Sequence, residues 1–234
     1  MSAPGNALIR RMRAEDGITL VELIVAMALT TVIVTAAVGF YISGAKATSL
    51  AENVDYATRQ ASNGMSEMSR MIRAATANPI ANPTPGNPTT VPAVVSAATN
   101  SVTLFAYVNL TGSNESPVKV TFALDTTNGQ LVETIYPATS TLPGSNGHWD
   151  FAAAYSSKRI LCDSLPTGLQ LFHYLPVGGP PEMTPPGTDP TGLANIRSIQ
   201  ITLTVQPGPS STAVTLTNSV GMPNLGFTNP DSGS

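Results

Sequence analysis

A few side chains of this sequence have the types that catalysis or metal binding requires. Cys162, followed by Asp163 and later by His173, could form a nucleophile with its base. The two histidines, His148 and His173, lack the cysteine or carboxylate spacing of a metal site. Because no phosphate loop, catalytic triad or paired-carboxylate motif accompanies them, we predict a small buried thiol at Cys162, no metal, no cofactor and no enzymatic activity.

A different chemistry is indicated near the N-terminus, where one carboxylate lies in a long apolar run. Ile18 to Ile42 contains 25 residues with one charge, Glu22, and no proline. About 20 apolar residues span a bilayer core, so this segment is long enough to cross a membrane. A glutamate there costs about 2.5–3.5 kcal/mol at the bilayer centre and less near the interface. We therefore expect Glu22 to have a partner.

The basic residues predict how this segment is oriented. Arg10, Arg11 and Arg13 precede it, whereas Lys46 and Arg59 are the first basic residues after it. The positive-inside rule then puts the N-terminus in the cytoplasm and the C-terminal bulk outside. The run exceeds the 7–15 residues or so of a signal-peptide apolar region, which favours a single-pass protein of the inner or cytoplasmic membrane.

Gly17 and the residues ITLVELIVAMAL after it resemble the class III signal of type IV prepilins and pseudopilins. The resemblance implies that prepilin peptidase cleaves after Gly17 and that Ile18 becomes the methylated N-terminus of the mature chain. It also implies that Glu22 serves assembly, because the amine of one subunit neutralises the glutamate of its neighbour in a dry filament core. Unpaired buried charges are penalised strongly, so this pairing would fix the axial register.

Weaker similarities extend over the rest of the chain. Residues 66–75, 120–136, 168–175 and 196–205 are similar to segments of the J-type minor pseudopilins and W-type minor pilins. This resemblance implies a minor subunit of an extracellular type IV pilus-like filament, with a tip position that primes assembly as a further expectation. Its partners would be major and minor pilins, bound through the N-terminal helix, together with the peptidase, the assembly machinery and the membrane. The alternatives are a type II secretion pseudopilin and a non-polymerising, single-pass surface-anchored binding protein.

The helix is predicted to continue beyond the apolar run. Small or apolar residues recur in steps of 3 and 4 from Ala47 to Ala75, the period of an amphipathic helix. Pro79 ends the pattern because proline lacks an N–H group. Ile18–Ala75 would span roughly 87 Å at 1.5 Å per residue, more than any bilayer. We therefore expect the second half to pack on a domain, with Met65, Met68 and Met71 between the helix and a sheet.

After the helix the period changes to two, which predicts strands. Alternating β-branched and aromatic residues mark strands at 101–108, 118–125, 130–136, 196–205 and 212–220, with a further strand at 168–175 and a short strand or loop at 159–165. Asn128-Gly129 predicts a hairpin turn, and residues 176–193, with six prolines, predict a loop. The fold class is α+β, a long N-terminal helix packed on a single antiparallel β-sheet domain with Pro-rich loops.

The predicted organisation has six segments. These are a cytoplasmic leader (1–17), a transmembrane and filament-core helix (18–42), its amphipathic continuation (43–76), a Pro-rich linker (77–100), a β-rich head (101–222) and a flexible tail (223–234). Only 11% of the residues are charged, against roughly 25% in ordinary soluble domains. With 11 Lys and Arg against 14 Asp and Glu there is no basic face, so nucleic acid is not expected as a partner. Trp149 is expected in the core.

Overall fold

A computed structural model of the chain describes residues 18–86, 89–108, 115–209 and 211–225. The chain divides into two compact units, residues 1–49 and 50–234. The predicted leader, 1–17, lies outside the described residues, as do residues 226–234 of the predicted tail. Within the described part of the chain, the first element is a single long helix, α1 (Leu20–Arg73), which confirms the predicted helix to within two residues at each end.

Among the described residues, ten strands and a short helix follow α1, and the strands form antiparallel ladders. A sheet of five strands has the order β3-β4-β5-β6-β7, a sheet of three has the order β10-β9-β8, and β1 pairs with β2. The elements are β1 (Asn78–Pro79), β2 (Thr90–Val91), β3 (Val94–Ala98), β4 (Ser101–Ala106), β5 (Val118–Asp125), β6 (Gln130–Pro137), β7 (Ser157–Cys162), β8 (Phe172–Pro176), α2 (Pro190–Asn195), β9 (Ile196–Val205) and β10 (Val214–Gly221). The α+β fold class, a long helix packed on antiparallel sheet, is confirmed.

The second half of α1 packs against the strands that follow it, as its period predicts. Its buried side chains follow the amphipathic spacing from Ala57 onward. At Gly64 an added Cβ would lie 3.3 Å from Leu203 Cδ2 of β9 and 3.5 Å from Cys162 Cβ of β7. The helix therefore touches both main sheets. The predicted packing role of Met65, Met68 and Met71 is confirmed, since all three are buried in the core.

The β5–β6 hairpin confirms the Asn-Gly turn. Asp125 pairs with Gln130, and the Asp125 carboxylate accepts hydrogen bonds from the backbone N–H groups of Thr127 and Asn128. The Asn128 side chain also donates to it, and these bonds lower the pKa of Asp125. Gly129 has φ +61°, and a Cβ there would lie 2.9 Å from the Leu165 carbonyl oxygen, so the turn requires glycine.

Two predictions about the strands are wrong. The single sheet is divided, because the chain after β7 crosses to the β3–β4 turn, where Leu171 and Phe172 both donate to the Thr99 carbonyl, and β8 then pairs with β9. The strand predicted at 168–175 correspondingly begins only at Phe172.

The predicted linker, 77–100, also differs from the structure. It contains β1 to β3, and its small apolar residues Ala93, Val94 and Ala97 are buried in the core. The prolines there fall at strand ends or between strands, positions that do not interrupt a ladder. Composition alone therefore suggested a linker where short strands form.

The predicted loop at 176–193 gives way to α2 at Pro190. The signals for this short helix are local: the Asp189 side chain accepts hydrogen bonds from the N–H groups of Thr191 and Gly192, and proline occupies the first turn. The predicted tail begins with ordered contacts, since Asn224 donates to the Arg73 carbonyl.

Candidate processing and assembly site at the start of the long helix

The start of α1 is fixed by a side chain two residues after Gly17. The N–H of Glu22 donates to Thr19 Oγ1 at 3.2 Å, and the N–H of Leu23 donates to the Thr19 carbonyl at 3.1 Å. Thr-x-x-Glu is the spacing of a capping box, in which the threonine satisfies one of the helix's unpaired N–H groups. Thr19 is therefore the N-cap, and Ile18 lies just outside the helix.

This cap brings Ile18 and Glu22 to the same end of the helix. Glu22 lies in the first turn of α1 and is exposed, where the positive end of the helix dipole favours a carboxylate. Ile18 is 73% exposed. Gly17, the third predicted processing residue, lies outside the described residues. Ile18 therefore lies directly before the helical turn that carries the Glu22 carboxylate.

The apolar side chains that follow this turn along α1 are exposed. Phe40 is 85% exposed and Val21 is 68% exposed, and no residue of the most apolar 18-residue stretch of α1 is buried. Large exposed apolar surfaces mark interaction or membrane surfaces. By length and composition, α1 is the one helix among the described residues that could cross a membrane. The first half of α1 therefore exposes its apolar side chains to its surroundings.

Threonines within this apolar segment satisfy their hydroxyl groups internally. Thr30, Thr31 and Thr35 each donate to the carbonyl four residues earlier, at 2.7–2.8 Å. Back-bonding of this kind removes the need for water or for another polar partner. The segment can then lie in lipid or in a dry helix bundle without unpaired hydroxyls, and Glu22 stays the charged group in need of a partner.

Residues 12–38 match a family model described as the Prokaryotic N-terminal methylation motif. A comparison with curated proteins found no match to the chain. The chain thus carries the class III signal of type IV prepilins, and this motif supports a type IV pilin- or pseudopilin-like protein. The apolar helix with this motif fits a membrane-anchored, single-pass protein, and the motif implies assembly with other pilins and action by prepilin peptidase in general.

In the head, the side chains of His173 and Asp163, which could have served a nucleophile at Cys162, have other hydrogen-bond partners. Cys162 is fully buried, and burial raises the pKa of its thiol to about 12. His173 Nδ1 lies 2.9 Å from Glu182 Oε1, and Asp163 accepts a hydrogen bond from the Tyr56 hydroxyl at 2.9 Å, which raises the pKa of Tyr56. The prediction that Cys162 is a buried thiol is confirmed. The motif itself suggests a structural rather than an enzymatic protein.

His148 and Trp149 have structural roles in the loop between β6 and β7. Among the described residues, no group of three or more His, Cys, Asp and Glu side chains could hold a metal ion. His148 Nδ1 contacts the Pro79 carbonyl. Trp149 is 7% exposed, and Asn78 pairs with its backbone in both directions, through Nδ2 to the carbonyl at 2.8 Å and through Oδ1 from the N–H at 2.9 Å. The prediction that Trp149 is a core residue is confirmed.

A charged cluster at the junction of α1, β6 and β7 was not predicted. Glu133 has no exposed surface and binds Arg159 Nε through Oε2. Arg159 also reaches Glu67 of α1, which accepts from Arg70 as well. The signal was available in the alternation of β6, since Glu133 shares the inward face with Leu131. Its partners could not be deduced from spacing, because Arg159 is remote in sequence.

Proposed function

We propose that this protein is a minor pilin or pseudopilin, a structural subunit of a type IV pilus-like filament, made as a membrane-inserted precursor. The observation that carries the proposal is the methylation motif at residues 12–38, which ends inside an exposed apolar helix. A subunit of such a filament needs both the methylation motif and the apolar helix. The motif supplies processing, and the apolar helix supplies the surface that first lies in the membrane and then packs against other subunits.

In this proposal prepilin peptidase cleaves after Gly17, and Ile18 becomes the methylated N-terminus. The Thr19 cap supports the assignment because it starts the helix immediately after Ile18. Cleavage would then leave a cationic amine on the residue preceding the cap, at the helix end that carries Glu22. The amine of one subunit would neutralise Glu22 of a neighbour as the helices leave the membrane, since a buried carboxylate without a partner is strongly disfavoured.

The proposed orientation puts the N-terminus in the cytoplasm and residues 50–225 outside the membrane. The basic residues before the apolar run support it through the positive-inside rule. Within the class, the likeness of residues 66–75 and of the β5–β6 hairpin to J-type and W-type subunits supports a minor subunit that primes assembly at the filament tip. A type II secretion pseudopilin shares the same processing and helix, and it differs in its partners.

The test is processing and export in cells that express prepilin peptidase. Gly17→Val is expected to block cleavage, because the motif has glycine at the cleavage position, and the chain should then stay in the membrane at its precursor size. Gly5→Val, a matched glycine change in the same leader, should be processed normally. Gel mobility of the membrane fraction and of the sheared-filament fraction gives both readouts. A Gly17→Val chain that is processed and recovered with sheared filaments would contradict the proposal.

A further inference from the structure

One carboxylate of the head lacks part of its hydrogen bonding. Glu133 is fully buried in β6, and its Oε1 has no hydrogen-bond partner among the described residues, whereas Oε2 binds Arg159. A buried acceptor without a hydrogen-bond partner destabilises the fold, and more so when it is charged. The neighbour of Glu133 on β5 is Phe122, which is also fully buried and offers no donor.

The charged groups around Glu133 come from two other elements. Arg159 of β7 is its cross-strand neighbour. From α1, Glu67 binds the same Arg159 side chain as Glu133 does, through Arg159 Nη2, and it accepts two bonds from Arg70, at 2.6 and 3.0 Å. The cluster therefore runs Glu133–Arg159–Glu67–Arg70. Its Glu133 end is sealed, and its arginine side chains are about half exposed, at 49% and 51%.

Two carboxylates that bind one guanidinium group lie near enough for their charges to interact. A second negative charge nearby disfavours the ionised form of whichever group is less well solvated, here the fully buried Glu133. Burial raises the pKa of Glu133, and the nearby Glu67 charge adds to that rise, against the effect of Arg159. Hydrogen bonding from Arg70 lowers the pKa of Glu67. The opposite directions of the two pKa shifts make Glu133 the member of the pair that binds a proton more readily.

We propose that Glu133 and Glu67 share a proton that fastens the second half of α1 to the five-stranded sheet, so that the head holds its helix more tightly as the surroundings become acidic. The proton comes from solvent and binds Oε1 of Glu133, which then donates to a Glu67 oxygen while Oε2 keeps Arg159. Loss of the proton leaves two facing anionic oxygens. Because the head is proposed to lie outside the membrane, the pH that it meets is that of the surroundings.

The direction of the pH dependence follows from the linkage between proton binding and folding. A carboxyl group whose pKa is raised on folding contributes stability that is complete below its unfolded value, ordinarily 4.5, and is lost as the pH rises through the folded value. The folding equilibrium constant should fall by about tenfold for each unit by which the folded value exceeds the unfolded one. Glu67, with the opposite shift, contributes stability that is lost only below its own unfolded value of 4.5.

The test compares the full chain, in detergent micelles, with Glu133→Gln. Glutamine keeps an acceptor for Arg159 and carries a permanent N–H donor for Glu67, so it mimics the protonated state. Denaturant unfolding followed by Trp149 fluorescence from pH 5 to 8 is expected to show wild-type stability falling relative to Glu133→Gln as the pH rises. Glu52→Gln, an exposed carboxylate change on α1, should run parallel to wild type. A wild-type to Glu133→Gln difference that does not vary with pH would overturn the proposal.

A second measurement needs no variant. With glutamate labelled at Cδ, the ¹³C shifts of the wild-type chain report each carboxyl group directly. One glutamate should titrate above the ordinary value of 4.5, and its protonation should slow amide exchange in residues 62–73 of α1. A titration in which no glutamate stays protonated above that value would overturn the proposal even if Glu133→Gln does not fold.

Discussion

Thr19 Oγ1 accepts a hydrogen bond from the backbone N–H of Glu22 at 3.2 Å, and this bond defines where the long helix begins. Thr19 and Glu22 both lie within the methylation motif, which spans residues 12–38. A capping threonine here keeps Ile18 outside the helix and puts the Glu22 carboxylate in its first turn. In the proposed function, cleavage would therefore occur directly before the helical turn that carries the assembly residue Glu22.

Glu22→Gln is expected to separate assembly from insertion. The amide removes the charge but keeps the size of the side chain, so membrane insertion and cleavage should be unchanged while recovery in sheared filaments falls severalfold. The reason is that the neighbour's amine would lose its carboxylate in a dry helix bundle. Immunoblots of the membrane and sheared fractions measure both steps. Glu52→Gln is the control, and unchanged incorporation of Glu22→Gln would rule out the charge-pairing role.

Gly64→Leu is expected to destabilise the head by about 1–3 kcal/mol, the usual cost of overpacking a core. A Cβ at Gly64 already lies 3.3 Å from Leu203 Cδ2 and 3.5 Å from Cys162 Cβ, which leaves no room for an isobutyl group. Gly44→Leu is the matched change, since nothing lies within 4 Å of a Cβ there. Denaturant unfolding followed by Trp149 fluorescence should show the loss for Gly64→Leu alone. Equal stability of the two variants would contradict the close approach of α1 to both sheets.

Cys162 is expected to resist alkylation in the folded chain at pH 8. Burial raises the pKa of its thiol to about 12, so the reactive thiolate is nearly absent, and the sulfur has no exposed surface. Intact mass after incubation with iodoacetamide should show no adduct under native conditions and one adduct after unfolding in guanidinium, where the residue is both accessible and ordinarily acidic. Rapid labelling of the native protein would show that β7 opens locally at its end.

Asn78→Ala is expected to lower the free energy of unfolding by about 1–3 kcal/mol, because the Trp149 backbone would lose both of its partners in a buried site. The loop that carries Trp149 should also become more accessible, which fluorescence quenching by iodide can measure. Asn146→Ala removes an exposed amide contact to Asn82 and serves as the control. If both variants unfold at the same denaturant concentration, Asn78 does not fix this loop.

Much of the fold was predictable because its signals are local. The 3.6-residue period of α1, the alternation of β5, β6 and β9, and the turn at Asn128-Gly129 each lie within a short window of sequence. The division into two sheets was not predictable, since it depends on Leu171 and Phe172 reaching Thr99, a contact between distant segments. The burial of β3 was missed because Pro-rich composition resembles that of a linker.

The candidate site shows the same contrast. The motif that contains Gly17, Ile18 and Glu22 is a short continuous stretch of sequence, so its chemistry could be predicted without the structure. The capping role of Thr19 was recognised only from its hydrogen bond in the structure, although its spacing from Glu22 is that of a capping box. The charged cluster around Glu133 could be suspected from one inward-facing carboxylate but not completed, because Arg159 and Glu67 approach from other elements.

The most direct test of the central claim is the intact mass and N-terminal sequence of the native protein, isolated from membranes and from sheared filaments of cells that contain prepilin peptidase. The account predicts a chain that begins at Ile18 and is one methyl group heavier than its sequence. A native chain that retains Met1–Gly17 would contradict it, and the protein would then be an ordinary membrane-anchored domain.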